Sequence, residues 1–309
     1  MGDLRVGRCG CPRTYQIDAH VCMVTGESAP WSAKREGIVE IDRKVVVVTG
    51  GASGIGLAIA QEFAAAGARL GLLDVEAEAL EIAASELASA GVEVQSFQVD
   101  VRRPDRLGAI ADEIEDVFGG TDVLCNNAGV LAAPGNVWSV PREDIEWVFA
   151  VNFWGALHAI QAFVPRMVER GTPSYVVNIS SVSAIAPMAS AASYMMSKSA
   201  LLTLSETLRE DLRAVGAPTN VAVVLPEHFR TRLGTAHRNR ATPEDSRSWE
   251  PIWNETDDPM LTYGDDPRIL GRRVVGAVRD ELFWVLPPAS DAMSQSAIER
   301  LHEIERSFL

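Results

Sequence analysis

A run of four valines at 45–48 leads directly into a glycine-rich segment, and this junction constrains the fold more than any other feature of the sequence. A β-branched run without polar alternation is typical of a strand buried on both faces. Glycines follow at positions 50, 51, 54 and 56, and a helical pattern then extends to Ala66 before Gly67. This succession predicts the strand, tight turn and helix that begin an α/β fold.

Strand and helix patterns alternate through the rest of the chain. Apolar runs predict further strands at 69–74, 93–99, 122–125, 175–179, 220–225 and 282–286. Helical patterns separate or follow them at 76–90, 104–118, 141–170, 191–215, 267–281 and 292–307. Because strands that alternate with helices pair in parallel, the sequence predicts an α/β, Rossmann-type doubly wound parallel sheet of about seven strands, with helices on both faces.

The composition is that of a globular protein with a large core, and the length of 309 residues fits one large α/β domain or two small ones. Residues 1–40 lack periodicity and predict a poorly ordered extension before one domain over 41–309. The polar segment 226–267 predicts a mobile, solvated lid. The net charge of −14 argues against nucleic acid and anionic membranes as partners, and no apolar run approaches the roughly 20 residues of a membrane span. Scarce cysteines and no visible export signal predict a cytoplasmic protein, and no residue cluster has metal-ligand spacing.

The glycine cluster predicts a dinucleotide site, because glycine lets the backbone approach a pyrophosphate at a helix N-terminus. Asp74 lies 18 residues beyond Gly56, at the end of the second strand. A carboxylate there accepts both ribose hydroxyls of an adenosine and repels a 2′-phosphate, so the sequence predicts NAD in preference to NADP. The alternatives are a glycine turn without a ligand and an Asp74 that serves only as a helix N-cap.

Tyr194 and Lys198 lie four residues apart in a predicted helix, and therefore on one face of it. A fixed ammonium favours a phenolate, so this pair predicts a tyrosine that exchanges a proton near neutral pH. Ser181 follows a predicted strand and is positioned to hydrogen-bond the same substrate oxygen. Alone, the pair is a weak signal, and a core tyrosine beside a solvated lysine is the simpler interpretation.

Together, these motifs resemble the short-chain dehydrogenase/reductase family over about residues 42–290. The resemblance rests on Thr49-Gly-x-x-x-Gly54-x-Gly56, Asp100-Val101, Asn126-Asn127-Ala128-Gly129, Asn152, Ser181, Tyr194-x-x-x-Lys198, and Pro226 with Thr231. It implies a catalytic group formed by Asn152, Ser181, Tyr194 and Lys198. In that group Asn152 holds a water of a proton relay to Lys198; the alternative is a polar helix residue that satisfies backbone groups.

The same resemblance, with the glycine and Asp74 arguments above, gives the predicted cofactor site. Its members are Gly50, Ser53, Gly54, Ile55, Gly56, Asp74, Val75, Asp100, Val101, Asn127, Ala128, Gly129, Tyr194, Lys198, Pro226, Phe229 and Thr231. One departure is Glu227, where the family has glycine. Because glutamate is less free at positive φ, this residue puts the usual turn and the contacts of Phe229 and Thr231 in doubt.

The resulting hypothesis is an oxidoreductase that transfers a hydride between NAD(H) and a small-molecule secondary alcohol or ketone. Tyr194 is its acid/base, Lys198 lowers the tyrosine pKa, and Ser181 orients the substrate oxygen. The alternatives are an epimerase or dehydratase with bound NAD, and a non-catalytic dinucleotide sensor. The long apolar helices at 141–170 and 191–215 predict a homodimer or homotetramer.

A bulky hydrophobic or aromatic alcohol is the predicted substrate. The lid contributes Trp249, Trp253, Met260, Leu261 and Tyr263, and the opposite wall Leu131, Ala184, Ile185 and Met188. The alternative is that these residues pack the lid onto its own domain. A second resemblance, carried by residues 163–167 and by Pro226-Glu227, is to bacterial dehydrogenases of benzylic alcohols. In such a site His228 donates to an ether or phenol oxygen, unless it is a surface residue.

Overall fold

One parallel sheet organises the described part of the chain. The computed structural model describes residues 40–240, 259–287 and 292–308. Within these ranges the strands are β1 (Val45–Thr49), β2 (Arg69–Asp74), β3 (Val94–Gln98), β4 (Val123–Asn126), β5 (Ser174–Ile179), β6 (Thr219–Val224) and β7 (Trp284–Val285). All neighbours pair in parallel, in the order β3-β2-β1-β4-β5-β6-β7. The predicted doubly wound sheet is confirmed. The predicted extension at 1–40 lies, apart from Glu40, outside the described residues.

Helices connect the strands and cover both faces of the sheet. They are α1 (Gly54–Ala65), α2 (Ala77–Ser89), α3 (Pro104–Phe118), α4 (Arg142–Phe149), α5 (Ala156–Arg170), α6 (Ala192–Ala214), α7 (Pro259–Tyr263), α8 (Pro267–Arg279) and α9 (Ala292–Arg306). Pro104 and Pro267 stand at the first positions of α3 and α8, where the missing N–H costs nothing. The predicted strand at 282–286 has only two residues in the structure, at the edge of the sheet, where Trp284 and the following Leu286 are exposed.

Alternate valines of β1 enter two separate cores. Val46 and Val48 belong to the core that α1, α2 and α8 cover, with Phe63 and Val274 among its members. Val45 and Val47 belong to the core beneath α3, α5 and α6, which includes Phe163. Strands with both faces buried leave their carboxyl-terminal ends as the accessible edge. In doubly wound sheets a ligand binds there, where the strand order reverses, which in this chain is between β1 and β4.

The predicted helix over 141–170 is interrupted by a wide turn. Between α4 and α5 the chain forms a π-helical segment, Ala150–Gly155, and such segments occur often at functional sites. Taken together, α4, the π-helical segment and α5 form one helical stretch, Arg142–Arg170. By length and composition this stretch could cross a membrane, although the sequence analysis identified no such run. Most of its apolar window is buried inside the fold, as in the core helix of a globular protein.

The described start of the predicted lid is packed against the sheet edge by ion pairs, while residues 241–258 of that segment lie outside the described residues. A 3₁₀ stretch, Arg232–Asn239, follows β6. Glu76 at the start of α2 accepts from Arg232 at 2.9 Å and from Arg238 at 2.6 Å. Arg240 pairs with Asp144 of α4, and both side chains are less than a tenth exposed. These ion pairs hold this segment against the sheet edge, because the partially buried charges need their partners.

Candidate active site

A cavity lies over the carboxyl-terminal ends of β1, β2 and β4, and we call it the glycine-loop cavity. It is lined by every residue of the predicted cofactor site except Gly56. The sequence reasoning missed other lining residues: Glu76, Val99, Arg102, Val130, Trp147, Val151, Ile179, Ser180, Arg232, Leu233, Ala236, Arg238 and Asn239. The arginines between positions 230 and 240 could have indicated a binding surface. They lie far from the glycine loop in the sequence, so the sequence did not show that they line the same cavity.

The glycine loop is shaped by its own backbone and by Asn127. Gly50 has φ of 64°, a conformation open to glycine. A Cβ at Gly56 would lie 2.0 Å from the Gly50 carbonyl oxygen, so this position admits no side chain. The Asn127 amide donates to the carbonyls of Thr49 and Gly50, each at 3.0 Å. Asn127, which the family resemblance assigns to the ribose, therefore also holds the loop in place.

Asp74 is fixed at the end of β2 by two backbone donors. Its carboxylate accepts from the N–H of Ala52 at 2.9 Å and from the N–H of Glu76 at 3.0 Å. The second bond orders the turn before α2, but Asp74 is not the N-cap of that helix, because Glu76 occupies the N-cap position. Because each carboxylate oxygen has two lone pairs, acceptor capacity remains towards the cavity.

Carboxylates and arginines form pairs around the same cavity. Burial raises the pKa of Glu76, but hydrogen bonds from Arg238 and Asn239 outweigh it, and the net pKa is lowered. Asp100 behaves alike: burial is opposed by the hydrogen bonds from Arg102, which lower its pKa. The pairs therefore hold both carboxylates in their charged form at neutral pH.

Ser181, Tyr194 and Lys198 meet beside this cavity, as their spacing predicts. Ser181 follows β5, while Tyr194 and Lys198 occupy the first two turns of α6. The buried Lys198 ammonium donates to the Ile179 carbonyl at 2.8 Å and lies 5.6 Å from the centre of the Tyr194 ring. The Ser181 hydroxyl contacts the Pro226 carbonyl at 3.5 Å.

The expected lowering of the tyrosine pKa is wrong for the protein chain alone. Burial raises the pKa of Tyr194 to about 12, and a hydrogen-bonding contact with Ser181 offsets only part of the shift. Burial also lowers the pKa of Lys198 to about 8. Desolvation dominates both groups, since the ammonium points at the Ile179 carbonyl rather than at the phenol oxygen.

Asn152 is completely buried in the π-helical segment. Its carboxamide exchanges hydrogen bonds with the backbone of Val130, at 2.8 and 3.0 Å, and donates to Ser197 at 3.0 Å. Asn152 thus satisfies backbone groups of Val130, which was the alternative to its role in a proton relay. A Cβ at Gly129 would lie 3.5 Å from the Lys198 ammonium and 3.6 Å from Asn152 Oδ1. Glycine there keeps open a space that both polar groups reach.

A second cavity of about 510 Å³, which we call the apolar cavity, adjoins the first. Tyr194, Glu227 and Leu233 line both cavities. Of the predicted substrate contacts, Leu131, Met188, His228 and Tyr263 line it. Ala184 and Ile185 do not, because they pack into clusters with Leu202 and Val182. Trp249, Trp253 and the Met260 side chain lie outside the described residues. Leu261 is described but absent from the lining, and Met293 of α9 is a contact that the sequence did not predict.

Glu227 does not disturb the backbone after β6. It is not among the residues with positive φ, so its position does not require glycine, and the doubt about the turn is resolved. Pro226, Phe229 and Thr231 all line the glycine-loop cavity beside it. The Glu227 carboxylate instead accepts from the N–H and hydroxyl of Ser294 in the first turn of α9, at 3.0 and 2.9 Å.

Within the described ranges no group of three His, Cys, Asp or Glu side chains could hold a metal ion. The site has three parts: the glycine-loop cavity, the buried group formed by Ser181, Tyr194 and Lys198, and the apolar cavity. Tyr194 lines both cavities.

Comparison with known proteins agrees with this geometry. The family model described as short chain dehydrogenase matches residues 44–242. A 1-deoxy-11-beta-hydroxypentalenate dehydrogenase of Streptomyces exfoliatus is 41% identical over 63% of this chain and 70% of its own length. A C alpha-dehydrogenase of a Sphingobium species is 30% identical over 79% of this chain and 80% of its own.

A solved structure gives the same result. A short chain dehydrogenase/reductase from Burkholderia phymatum, crystallised in complex with NAD, superposes with a TM-score of 0.80. It is 30% identical in sequence, and the match covers 87% of this chain and 96% of that one. Since the family model spans well over half of the sequence, this chain belongs to the short-chain dehydrogenase family.

Proposed function

We propose that this oxidoreductase uses NAD(H) in preference to NADP(H) and acts on a bulky, hydrophobic secondary alcohol or its ketone. Members of the family bind a nicotinamide dinucleotide, and the named relatives are dehydrogenases. These matches favour hydride transfer over an epimerase, a dehydratase or a sensor. The observation that carries the proposal is the junction of the glycine-loop cavity with the apolar cavity at Tyr194.

The preference for NAD follows from the charges at the end of β2. Asp74 is held by two backbone N–H groups and keeps acceptor capacity for ribose hydroxyls. Glu76 and Asp100 line the same cavity, so a 2′-phosphate would meet three carboxylates. The arginines in this cavity already bind carboxylates: Arg232 and Arg238 pair with Glu76, and Arg102 pairs with Asp100. NAD, which lacks the phosphate, avoids this repulsion.

In the proposed chemistry, the nicotinamide ring accepts the hydride in oxidation and donates it in reduction. Tyr194 takes the carbinol proton in oxidation and returns it in reduction. Ser181 donates to the substrate oxygen and orients it beside the tyrosine. Lys198 supplies the positive charge that favours the phenolate, and Asn152 holds a water that relays the proton to Lys198, as the family resemblance implies. The space beside Gly129, which Lys198 and Asn152 both border, is where we place that water.

Substrate size follows from the apolar cavity. Its volume of about 510 Å³ lies within the ~300–1,000 Å³ range of drug-sized ligand sites. Leu131, Pro134, Met188 and Met293 line it, so apolar contact with an aryl or polycyclic body is available. The name of one relative, 1-deoxy-11-beta-hydroxypentalenate dehydrogenase, describes a hydroxyl group on a large carbon skeleton.

The test is NADH formation with a panel of aryl-alkyl carbinols, steroid alcohols, 3-hydroxyacyl thioesters and polyols. We expect the highest kcat/KM for a carbinol with a large apolar body, and higher kcat/KM for NAD than for NADP. Best activity with polyols or thioesters would contradict the substrate class. Cofactor binding without turnover of any carbinol would support the sensor alternative.

Assembly and location remain part of the proposal. We propose a homodimer or homotetramer built on the long helices, and a cytoplasmic protein. Light scattering of the purified chain measures the first, and a monomer would refute it. A variant that begins at Ile41 tests the single-domain prediction, because Ile41 is buried in the core and the sheet begins four residues later. We expect that variant to fold and to remain active.

A further inference from the structure

Glu227 occupies the boundary between the two cavities. It lines both of them, as does Tyr194. Its neighbour Pro226 accepts from the N–H of Val182 at 3.1 Å and from the Ser181 hydroxyl at 3.5 Å. The backbone that carries Glu227 is therefore fixed relative to the serine that would orient the substrate oxygen.

The carboxylate is held by one of its two oxygens. Oε1 accepts both hydrogen bonds from Ser294, whose residue is only 7% exposed. Helix α9 is itself anchored, because Ala297 packs against Val182 and Ala186, and Arg300 donates to the Ile185 carbonyl at 3.0 Å. The Glu227 side chain thus has a fixed position, and Met293 beside Ser294 is fixed with it as part of the cavity wall.

The second oxygen, Oε2, receives no hydrogen bond from any described residue. No lysine or arginine is among the described residues that line the apolar cavity. His228 also lines it, but that side chain is exposed, and solvent screens any charge it carries. The cavity wall therefore combines apolar side chains with one fixed carboxylate that has spare acceptor capacity. An anionic group placed close to this carboxylate would be repelled by it.

We propose that Glu227 determines the charge specificity of the substrate site: it admits neutral substrates, favours those with a second hydroxyl, and excludes carboxylates. The inference rests on the proposed function, because it assumes that the apolar cavity receives the alcohol. A carboxylate placed inside the cavity is not the substrate of this protein.

Three matched carbinols test the inference with the full chain. They are methyl aryl carbinols that differ only at the para position, which carries a carboxylate, its methyl ester or a hydroxyl. For the wild type we expect kcat/KM with the ester to exceed that with the carboxylate at least about tenfold, and the hydroxyl compound to be preferred over the ester. In Glu227→Gln, an amide oxygen remains for Ser294 while the charge is lost. We expect the ester-to-carboxylate ratio to fall towards unity.

Glu299→Gln is the matched control, since this exposed residue of α9 undergoes the same change outside the cavity. Its ratio should equal that of the wild type. Equal kcat/KM for ester and carboxylate in the wild type overturns the inference without any variant. A ratio that persists in Glu227→Gln also overturns it, because another group then causes the discrimination. Failure of the proposed function is distinct: the wild type would then oxidise none of the three carbinols.

Discussion

Gly56 makes the tightest backbone approach in the glycine loop, and Gly56→Ala tests whether that approach forms the cofactor site. The added Cβ would lie 2.0 Å from the Gly50 carbonyl oxygen and 2.4 Å from the Asn127 amide nitrogen. Both distances are far below the ~3.5–4.0 Å of favourable carbon contacts. The contact is with a backbone atom of Gly50, so no side-chain rotation can relieve it and the loop itself must move. The hydrogen bond from the Asn127 amide to the Gly50 carbonyl, at 3.0 Å, is then lost.

The magnitude follows from these two effects. Overpacking in a close-packed interior costs about 1–3 kcal/mol, and a lost hydrogen bond costs about 0.5–1.5 kcal/mol. We therefore expect the free energy of unfolding to fall by about 2–4 kcal/mol. We also expect the Kd for NAD to rise at least about tenfold, because the displaced loop no longer presents its N–H groups to a pyrophosphate.

Gly108→Ala is the matched control within the same protein. Gly108 lies inside α3, and a Cβ there would meet nothing within 4 Å. Alanine in a helix interior is more stable than glycine by about 0.5–1 kcal/mol. Urea denaturation and titration calorimetry with NAD compare the two variants. The reasoning is refuted if Gly56→Ala binds NAD with wild-type affinity, or if both substitutions change stability in the same direction.

Three further predictions concern the residues around the cofactor edge. Tyr194→Phe should lower kcat by about 10²–10⁴ while the Kd for NAD stays unchanged; retained turnover would contradict its role. Asp74→Ala should narrow the kcat/KM preference for NAD over NADP, and a wild type that prefers NADP would refute the argument. Buried Lys198 binds its proton less tightly than in the unfolded chain, so between pH 8 and 10 this residue should add stability with rising pH, by at most about 1.4 kcal/mol per unit. The buried Cys125 thiol, whose pKa burial raises, opposes this gain above pH 9. The test is therefore the difference in free energy of unfolding between the wild type and Lys198→Met in urea, which should shift in favour of the wild type from pH 8 to pH 10.

Strand and helix positions followed closely from the sequence because their signals are local. Valines at 45–48 predicted β1, and Pro104 with Gly119 marked both ends of α3. The helix over 141–170 was predicted as one element, because a π-helical turn involves the same residue types as the helix around it. Asn152 was assigned by resemblance, and its bonds to Val130 and Ser197 link parts of the chain that no local pattern connects.

The lining of the apolar cavity, in contrast, followed only partly from the sequence. Leu131 and Met188, predicted as one wall of the substrate site, line this cavity, whereas Ala184 and Ile185 pack into neighbouring clusters. An apolar residue in a loop packs on whichever side another element covers, and α9 covers the turn that holds both. Met293 was missed for the same reason, since only the folded chain brings the C-terminal helix to Ser181.

The sequence by itself determined the sheet, the glycine turn and the identities of the reactive groups, because periodicity, glycine and functional motifs act over a few residues. The tertiary structure alone decided how those groups are solvated and paired. The Tyr194 phenol has a raised pKa because surrounding protein displaces water, and no spacing in the sequence encodes that burial. Glu227 likewise looked like an obstacle to a turn, until the fold brought Ser294 to its carboxylate from 67 residues away. Charge and solvation depend on three-dimensional distance, and the sequence specifies that distance only through the completed fold.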